Sequence, residues 1–207
     1  MSQEMIDRCA KGDLASVKSM VQEGADVNYR GSHGNTPLAF SAFIGHLDLI
    51  HLLMDAGADP NSPGYEDSVP VGLAAYEGHS DAVRLLLERG ANPNIANATT
   101  GVTPLHEAIV KDTPNQASCV MHLLAAGADP NAVSGQDAET NAFFESVRVY
   151  SESPLHWAAA YGTEETIRLL IQHGADVSLI DGRGETPAQW AGRHQRSTEI
   201  RELLRPA

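Results

Sequence analysis

A short phrase recurs along this chain at a nearly fixed interval, and no other feature restricts its folding as tightly. Thr36-Pro37-Leu38 returns as Val69-Pro70-Val71, Thr103-Pro104-Leu105, Ser153-Pro154-Leu155 and Thr186-Pro187-Ala188. A second phrase closes the units: Gly24-Ala25-Asp26, Gly57-Ala58-Asp59, Gly90-Ala91-Asn92, Gly127-Ala128-Asp129 and Gly174-Ala175-Asp176. The prolines lie 33, 34, 50 and 33 residues apart and the glycines 33, 33, 37 and 47, so a period of 33 underlies the chain and two units carry insertions. Such a unit is too small to bury an apolar face alone and must stack on its neighbours. A stacked array offers an extended surface and no deep pocket, which favours binding of a macromolecule over catalysis.

The unit spanning residues 31–61 shows how each phrase acts. Thr36 is placed to cap a helix through its hydroxyl, and Pro37 fits the first turn, where its missing N–H is not needed. The helix runs through Ser41, Ala42, Phe43 and Ile44 until Gly45 supplies a left-handed residue. Leu49, Ile50, Leu52 and Leu53 then give a second apolar stripe at helical spacing, closed by Gly57. Two antiparallel helices follow, and Pro60-Asn61-Ser62-Pro63-Gly64 is turn chemistry for a projecting finger.

With repeats running nearly end to end, residues 1–207 read as one elongated domain. Hydrophobic residues make up 42% of the chain but aromatics only 5%, so small aliphatic side chains must fill thin, closely stacked layers. The net charge of −13 is uneven: residues 1–180 hold 9 Lys and Arg against 23 Asp and Glu, whereas 181–207 hold 5 against 4. An acidic body repels phosphate backbones and attracts basic proteins, so no nucleic-acid partner is expected. No apolar run has the length of a signal peptide or a membrane span. The chain is therefore expected to be a soluble cytoplasmic monomer. Cys9 and Cys119 lie in different repeats and read as small hydrophobes, not as a disulfide or a zinc site.

The period, the helix-turn-helix unit and the phrases Thr103-Pro104-Leu105-His106-Glu107-Ala108 and Ser153-Pro154-Leu155-His156-Trp157-Ala158-Ala159 resemble the ankyrin repeat family, whose closing asparagine is matched by Asn28, Asn61, Asn94 and Asn131. The resemblance implies an all-α solenoid with units at about 1–29, 30–62, 63–95, 96–132, 133–179 and 180–207. The first unit lacks the Thr-Pro phrase and carries Gln3, Glu4, Asp7 and Lys11, and the last reads Arg193-His194-Gln195-Arg196 where others have Gly-His, so both are expected to be caps.

The resemblance further implies a non-enzymatic module that binds a partner protein on its concave face. The family's contact positions are the two residues before the interhelix turn. Here they are Phe43 and Ile44, Tyr76 and Glu77, Val110 and Lys111, Ala160 and Tyr161, and Arg193 and His194, joined from the fingers by Tyr65, Glu66, Thr99, Thr100, Arg148 and Tyr150. Two finer alternatives stand beside this: an inhibitor or immunity-type protein that blocks a partner, and a substrate of an asparagine hydroxylase at the closing asparagines.

The repeat is broken most clearly by an insertion from Ser134 to Ser151. Its Phe143, Phe144, Val147, Val149 and Tyr150 are rarer in loops without structure, so the segment is expected to be at least partly ordered. It suits either sealing the enlarged finger or acting as a binding arm. A short helix capped by Thr140 or Asn141 and a strand pair using Val147-Arg148-Val149-Tyr150 both fit, and periodicity does not decide. A smaller insertion, Lys111 to Gln116, lengthens an interhelix turn.

The chain holds no His-Glu-x-x-His, no Cys-x-x-Cys and no phosphate-binding Gly-x-x-x-x-Gly-Lys-Ser/Thr, so no catalytic, metal or cofactor residues are assigned. His106 and His156 follow the Leu of the opening phrase, and His46 and His79 follow the interhelix glycine, which gives all four structural explanations. A thiol–imidazole pair of Cys119 with His106 or His122 lacks any residue to orient it.

Overall fold

The computed structural model describes residues 2–31, 34–140 and 147–206. Its helices come in pairs: α1 (Ser2–Ala10) with α2 (Leu14–Gln22), α3 (Pro37–Phe43) with α4 (Leu47–Asp55), and α5 (Pro70–Tyr76) with α6 (Ser80–Glu88). They continue as α7 (Pro104–Val110) with α8 (Gln116–Ala125), α9 (Pro154–Tyr161) with α10 (Glu164–Gln172), and α11 (Pro187–Arg193) with α12 (Thr198–Leu203). First helices pack on first helices and second on second, so two layers run the length of the stack. Two strands, β1 (Gln136–Thr140) and β2 (Val147–Tyr150), interrupt the helical pattern.

Local chemistry sets the start of each first helix. Proline stands at the first position of α3, α5, α7, α9 and α11. Thr36 Oγ1 accepts from the Ala39 N–H at 3.1 Å, the N-cap that the sequence suggests. Small buried residues, among them Ala42, Ala74, Ala75, Ala108, Ala158, Ala159 and Ala191, let neighbouring first helices approach closely. The larger core residues sit between the layers, with Leu49, Leu53, Leu86, Leu123, Ile167 and Leu170 fully buried.

Neighbouring units are joined by the closing asparagines. Asn94 Nδ2 donates to the Gly127 carbonyl at 2.8 Å while its Oδ1 accepts from the Asp129 N–H at 2.8 Å. Asn28 does the same with Gly57 and Asp59, Asn61 with Gly90 and Asn92, and Asn131 with Gly174 and Asp176. Each asparagine satisfies one donor and one acceptor of the next unit's turn, groups that helix termini leave without intrahelical partners. At the equivalent place in the following unit stands Ser178, whose hydroxyl turns back to Asp176 within its own turn.

Histidines make a second set of joints on the first-helix side. His106 Nδ1 accepts from the Thr103 N–H at 3.3 Å and its Nε2 donates to the Glu152 carbonyl in the next unit at 3.0 Å. His156 repeats this with Ser153 and the Glu185 carbonyl. Since a carbonyl only accepts, both rings carry their proton on Nε2. The last interhelix turn, which lacks glycine, keeps its shape by other means. Gln195 takes the left-handed conformation at φ 53° that Gly45 and Gly78 take elsewhere, and the Arg196 guanidinium reaches the carbonyls of Ala159, Ala160 and Gly162.

The insertion contains a strand pair, which resolves the two readings its sequence allows. β1 and β2 are antiparallel, with Ala138 opposite Val149 and Thr140 opposite Val147, and an irregularity between Gln136 and Ala138. Its base is closed by the Ser134 N–H donating to the Glu152 carbonyl at 2.9 Å. Gly135 N–H donates to the Thr100 carbonyl at 2.6 Å and Gly182 N–H to the Tyr150 carbonyl at 2.5 Å, so both flanking fingers hold it. Phe143 and Phe144 lie outside the described residues.

Replacing Asn94 by Ala hands the exposed Gly127 carbonyl and Asp129 N–H over to water and is expected to cost about 0.5–1.5 kcal/mol, the net worth of the lost bonds. Leu123→Ala, a truncation at full burial, should cost about 2–5 kcal/mol. Urea denaturation of both variants measures these losses, and stability equal to the parent in Asn94→Ala would remove the asparagine bridges from the account.

Candidate functional site

The exposed side of the first helices and the fingers beside it form a continuous surface. Phe43 and Ile44 are half-buried at the end of α3, where the Phe43 carbonyl is held by His79 Nε2 at 3.0 Å. Tyr76 and Glu77 follow in the next unit, also half-buried. Lys111 crosses from the unit beyond to pair with Glu77 at 2.6 Å, with its ammonium 5.0 Å from the Tyr76 ring centroid. Val110 is half-buried beside it. Tyr161 is 48% exposed and stands edge-on to His194 at 5.4 Å. The Arg193 guanidinium lies 4.9 Å from the Trp190 ring and pairs with Glu185 at 2.9 Å.

Two expected contact positions differ from their neighbours. Ala160 is only 7% exposed and its carbonyl is taken by Arg196, so it belongs to the packing between α9 and the last unit. Thr100 is buried too, its carbonyl holding the hairpin and its Oγ1 accepting from the Val102 N–H. Thr99 and Asp67 are exposed on their fingers, and Glu66 is half-buried with its carbonyl accepting from Asn97 Nδ2 at 2.5 Å. The side chains of Tyr65 and Arg148 lie outside the described set. Tyr150 is half-buried under the Arg183 guanidinium, which is 4.0 Å from its ring.

Beneath this row lies one that the sequence reading did not single out. Phe40, Leu73, Glu107, Trp157 and Trp190 occupy the same position in successive units, three residues before the first contact position, and form the floor of the surface. Trp157 meets the His106 ring edge-on at 5.1 Å and Trp190 meets His156 at 5.7 Å. Trp190 Nε1 donates to Asp181 at 3.0 Å. The signal was available, since both tryptophans of the chain fall at this one repeat position.

Glu107 is the exception in that row, a carboxyl where its equivalents are apolar. It is 6% exposed, and Ser68 Oγ donates to it at 2.6 Å. Space for it comes from Gly72, where a Cβ would fall 1.7 Å from Glu107 Oε2. Burial pushes this carboxyl up to about 7. Burial moves its neighbour His106 the other way, down to about 4, so the imidazole is neutral at pH 7.

These environments oppose reactive chemistry. Burial raises the Cys119 thiol to about 12 and the Cys9 thiol to about 11, away from the thiolate a nucleophile needs. Both nitrogens of His106 are already engaged with backbone groups. Among the described residues no group of His, Cys, Asp and Glu is arranged to hold a metal ion, and no helix is long and apolar enough to cross a membrane.

Profiles of ankyrin repeats match residues 5–54, 63–134 and 133–207, and the chain belongs to the ankyrin repeat family. Ankyrin repeats are protein-interaction modules. Mouse Rabankyrin-5 is 35% identical over 102 residues, which is 49% of this chain and 8% of that protein. Inversin from dog is 30% identical over 94 residues, 45% of this chain and 7% of its own length. Residues of the mouse transient receptor potential cation channel subfamily V member 5 are 44% identical over 70 positions, covering 32% of this chain and 9% of the channel. The chain thus spans under a tenth of each of these relatives. Among solved structures, a chain from the Bd0816 predatory endopeptidase of Bdellovibrio bacteriovorus in complex with immunity protein Bd3460 superposes with a TM-score of 0.77 at 24% identity, covering 99% of this chain and 97% of that one.

Glu107 and His106, both buried, pull stability in opposite directions with pH. Glu107 is raised from 4.5 to about 7, so its contribution is complete below about pH 4.5 and is lost as pH rises through about 7. His106 is lowered from 6.5 to about 4, so its contribution is present above about pH 6.5 and is lost as pH falls toward 4. Glu107→Gln, which keeps an acceptor for Ser68, should be more stable than the parent by about 1–3 kcal/mol above pH 7 and show no such gain below about pH 4.5. Denaturation curves at the two extremes measure this, and an unchanged pH profile would refute it.

Proposed function

We propose that the chain acts as a non-enzymatic module that holds a partner protein against the first-helix and finger surface, which is the concave side in ankyrin arrays. The observation that carries this reading is the row Phe43, Tyr76 and Tyr161, which keeps aromatic surface accessible in separate repeats above a closed core. Aromatic anchors of this kind dominate protein interfaces. Ile44, Glu77, Val110, Lys111 and Arg193 complete the row, and Tyr65, Arg148 and Tyr150 extend it along the fingers. Backbone strain on the fingers points the same way: Glu66, Asp67 and Ser151 hold left-handed conformations without being glycine, a cost of order 1 kcal/mol each that a surface built for recognition would retain.

The reading takes the chain to work as a monomer in the cytoplasm, without nucleic-acid or membrane partners. A finer version is an inhibitor that blocks an enzyme. The near end-to-end likeness to a chain from an endopeptidase–immunity protein complex supports that version at the level of fold.

Affinity capture from native lysate with the parent and a Phe43→Ala, Tyr76→Ala, Tyr161→Ala variant tests the surface. The parent should retain a partner that the variant loses, each truncation at a central anchor costing about 2 kcal/mol or more. Glu88→Ala on α6 should be nearly neutral, and thermal midpoints must show every variant folded. Undiminished capture by a well-folded triple variant would place recognition elsewhere.

A further inference from the structure

The finger between α10 and α11 is a hydrogen-bonded turn that presents one guanidinium. Asp181 is buried and organises it, its Oδ1 accepting from the N–H groups of Arg183 at 2.9 Å and Glu185 at 2.8 Å while its Oδ2 accepts from Trp190 Nε1 at 3.0 Å. Gly182 joins the same turn to β2 through the Tyr150 carbonyl, and an added Cβ there would fall 2.9 Å from that oxygen. On this frame Arg183 lies exposed across the Tyr150 ring, and among the described residues no carboxylate pairs with it. Glu185 ties the finger to Arg193, and His194 stacks on Trp190 with ring centroids 5.8 Å apart. Tyr161 closes the cluster on the α9 side, edge-on to His194. Ile180, 61% exposed, and Val133, 52% exposed, stand at equivalent positions of adjacent units where the two fingers begin.

Charge separates this end from the rest of the molecule. The chain carries −13 overall, yet residues 181–207 hold five arginines against four carboxylates; Glu185 and Arg193 neutralise each other, and the Asp181 carboxylate is turned inward to the N–H groups of its own turn and Trp190. His194 reports the local field: its pKa is lowered first by burial and then by the charges of Arg193 and Arg196. A guanidinium stacked on an aromatic ring, without a carboxylate partner among the described residues and with exposed apolar groups alongside, is suited to a carboxylate flanked by apolar side chains.

We infer that this end of the surface docks an acidic, extended segment of the partner protein, with a carboxylate at Arg183 and apolar side chains against Tyr161 and Ile180. The inference rests on the partner-binding reading and adds the chemistry of what is bound. It runs against the sign of the whole molecule, since the net charge alone would select a basic partner.

Two fluorescein-labelled peptides, one alternating Glu and Val and the other Lys and Val, serve as probes at low ionic strength, about 20 mM, where charge is least screened. The Glu-Val peptide should bind the full chain more tightly than the Lys-Val peptide. Arg183→Glu should weaken it about tenfold or more, whereas Arg168→Glu, the same charge change on the opposite helix layer, should leave it unchanged. Bound peptide should also raise the titration midpoint of the His194 ring, followed by NMR. Absence of Glu-Val binding, preference for Lys-Val, or binding indifferent to Arg183→Glu in a folded variant would overturn the inference. Lys-Val binding abolished by Glu77→Lys would do so while leaving the partner-binding surface itself standing.

Discussion

Everything in this array depends on polar side chains that reach from one unit to the backbone of the next. The closing asparagines bridge a glycine carbonyl and the N–H two residues beyond it, and the opening histidines bridge to carbonyls on the other side of the stack. Because the partner groups belong to the main chain, they are present whatever side chains the next unit carries. Apolar burial supplies the bulk of the free energy but does not fix how far one layer is rotated against another. The bridges do fix it, and the alignment of Phe43, Tyr76 and Tyr161 along one side follows from that fixed geometry.

The same constraint explains why some units depart from the pattern without breaking it. At the third unit the opening phrase is Val69-Pro70-Val71-Gly72, with neither a capping hydroxyl nor a histidine, and Ser68 bonds to Glu107 of the following unit instead. At the lengthened turn Asn115 Nδ2 reaches the Gly78 carbonyl at 3.2 Å. Gln116 spans further, donating to the Ile109 and Lys111 carbonyls and accepting from Thr163 and Thr166 of the next unit. In each case a different polar side chain carries a hydrogen bond across the junction, with the Glu107 carboxyl at Ser68, the Gly78 carbonyl at Asn115, and the Thr163 N–H and Thr166 hydroxyl at Gln116.

Features written in local chemistry were legible in the sequence, and features written across units were not. Thr36 and Pro37 start a helix for reasons confined to a single turn, and Gly57 ends one at φ 89° for the same kind of reason. By contrast, Glu107 reads as a polar helix position until Gly72, 35 residues earlier, is seen to leave the space it fills. Arg196 looked like the residue of a degenerate turn, yet it closes the end of α9. The expected contact positions could be named from the repeat alone, but which of them carry accessible surface could not: Ala160 and Thr100 are buried by neighbours distant in sequence. The inserted finger left helix and strand open because its alternation is short, and pairing of β1 with β2 decided it through backbone register.

The hairpin leaves the stack and returns to it at one point, where Ser134 and Glu152 are bonded to each other. Asn131 consequently bridges to Gly174 across 43 residues of sequence at 2.9 Å, where Asn28 and Asn61 each span 29 with bonds of 3.0 and 3.2 Å. Closing the longer loop adds only about 0.3–0.4 kcal/mol of chain entropy, since that cost grows with the logarithm of length. The pitch of the array is thereby uncoupled from the size of whatever is carried at this junction. Natural variation can rewrite the segment between Gly135 and Tyr150, in length as well as in sequence, while the helices on either side keep their mutual placement, which makes this junction the part of the scaffold freest to acquire new specificity.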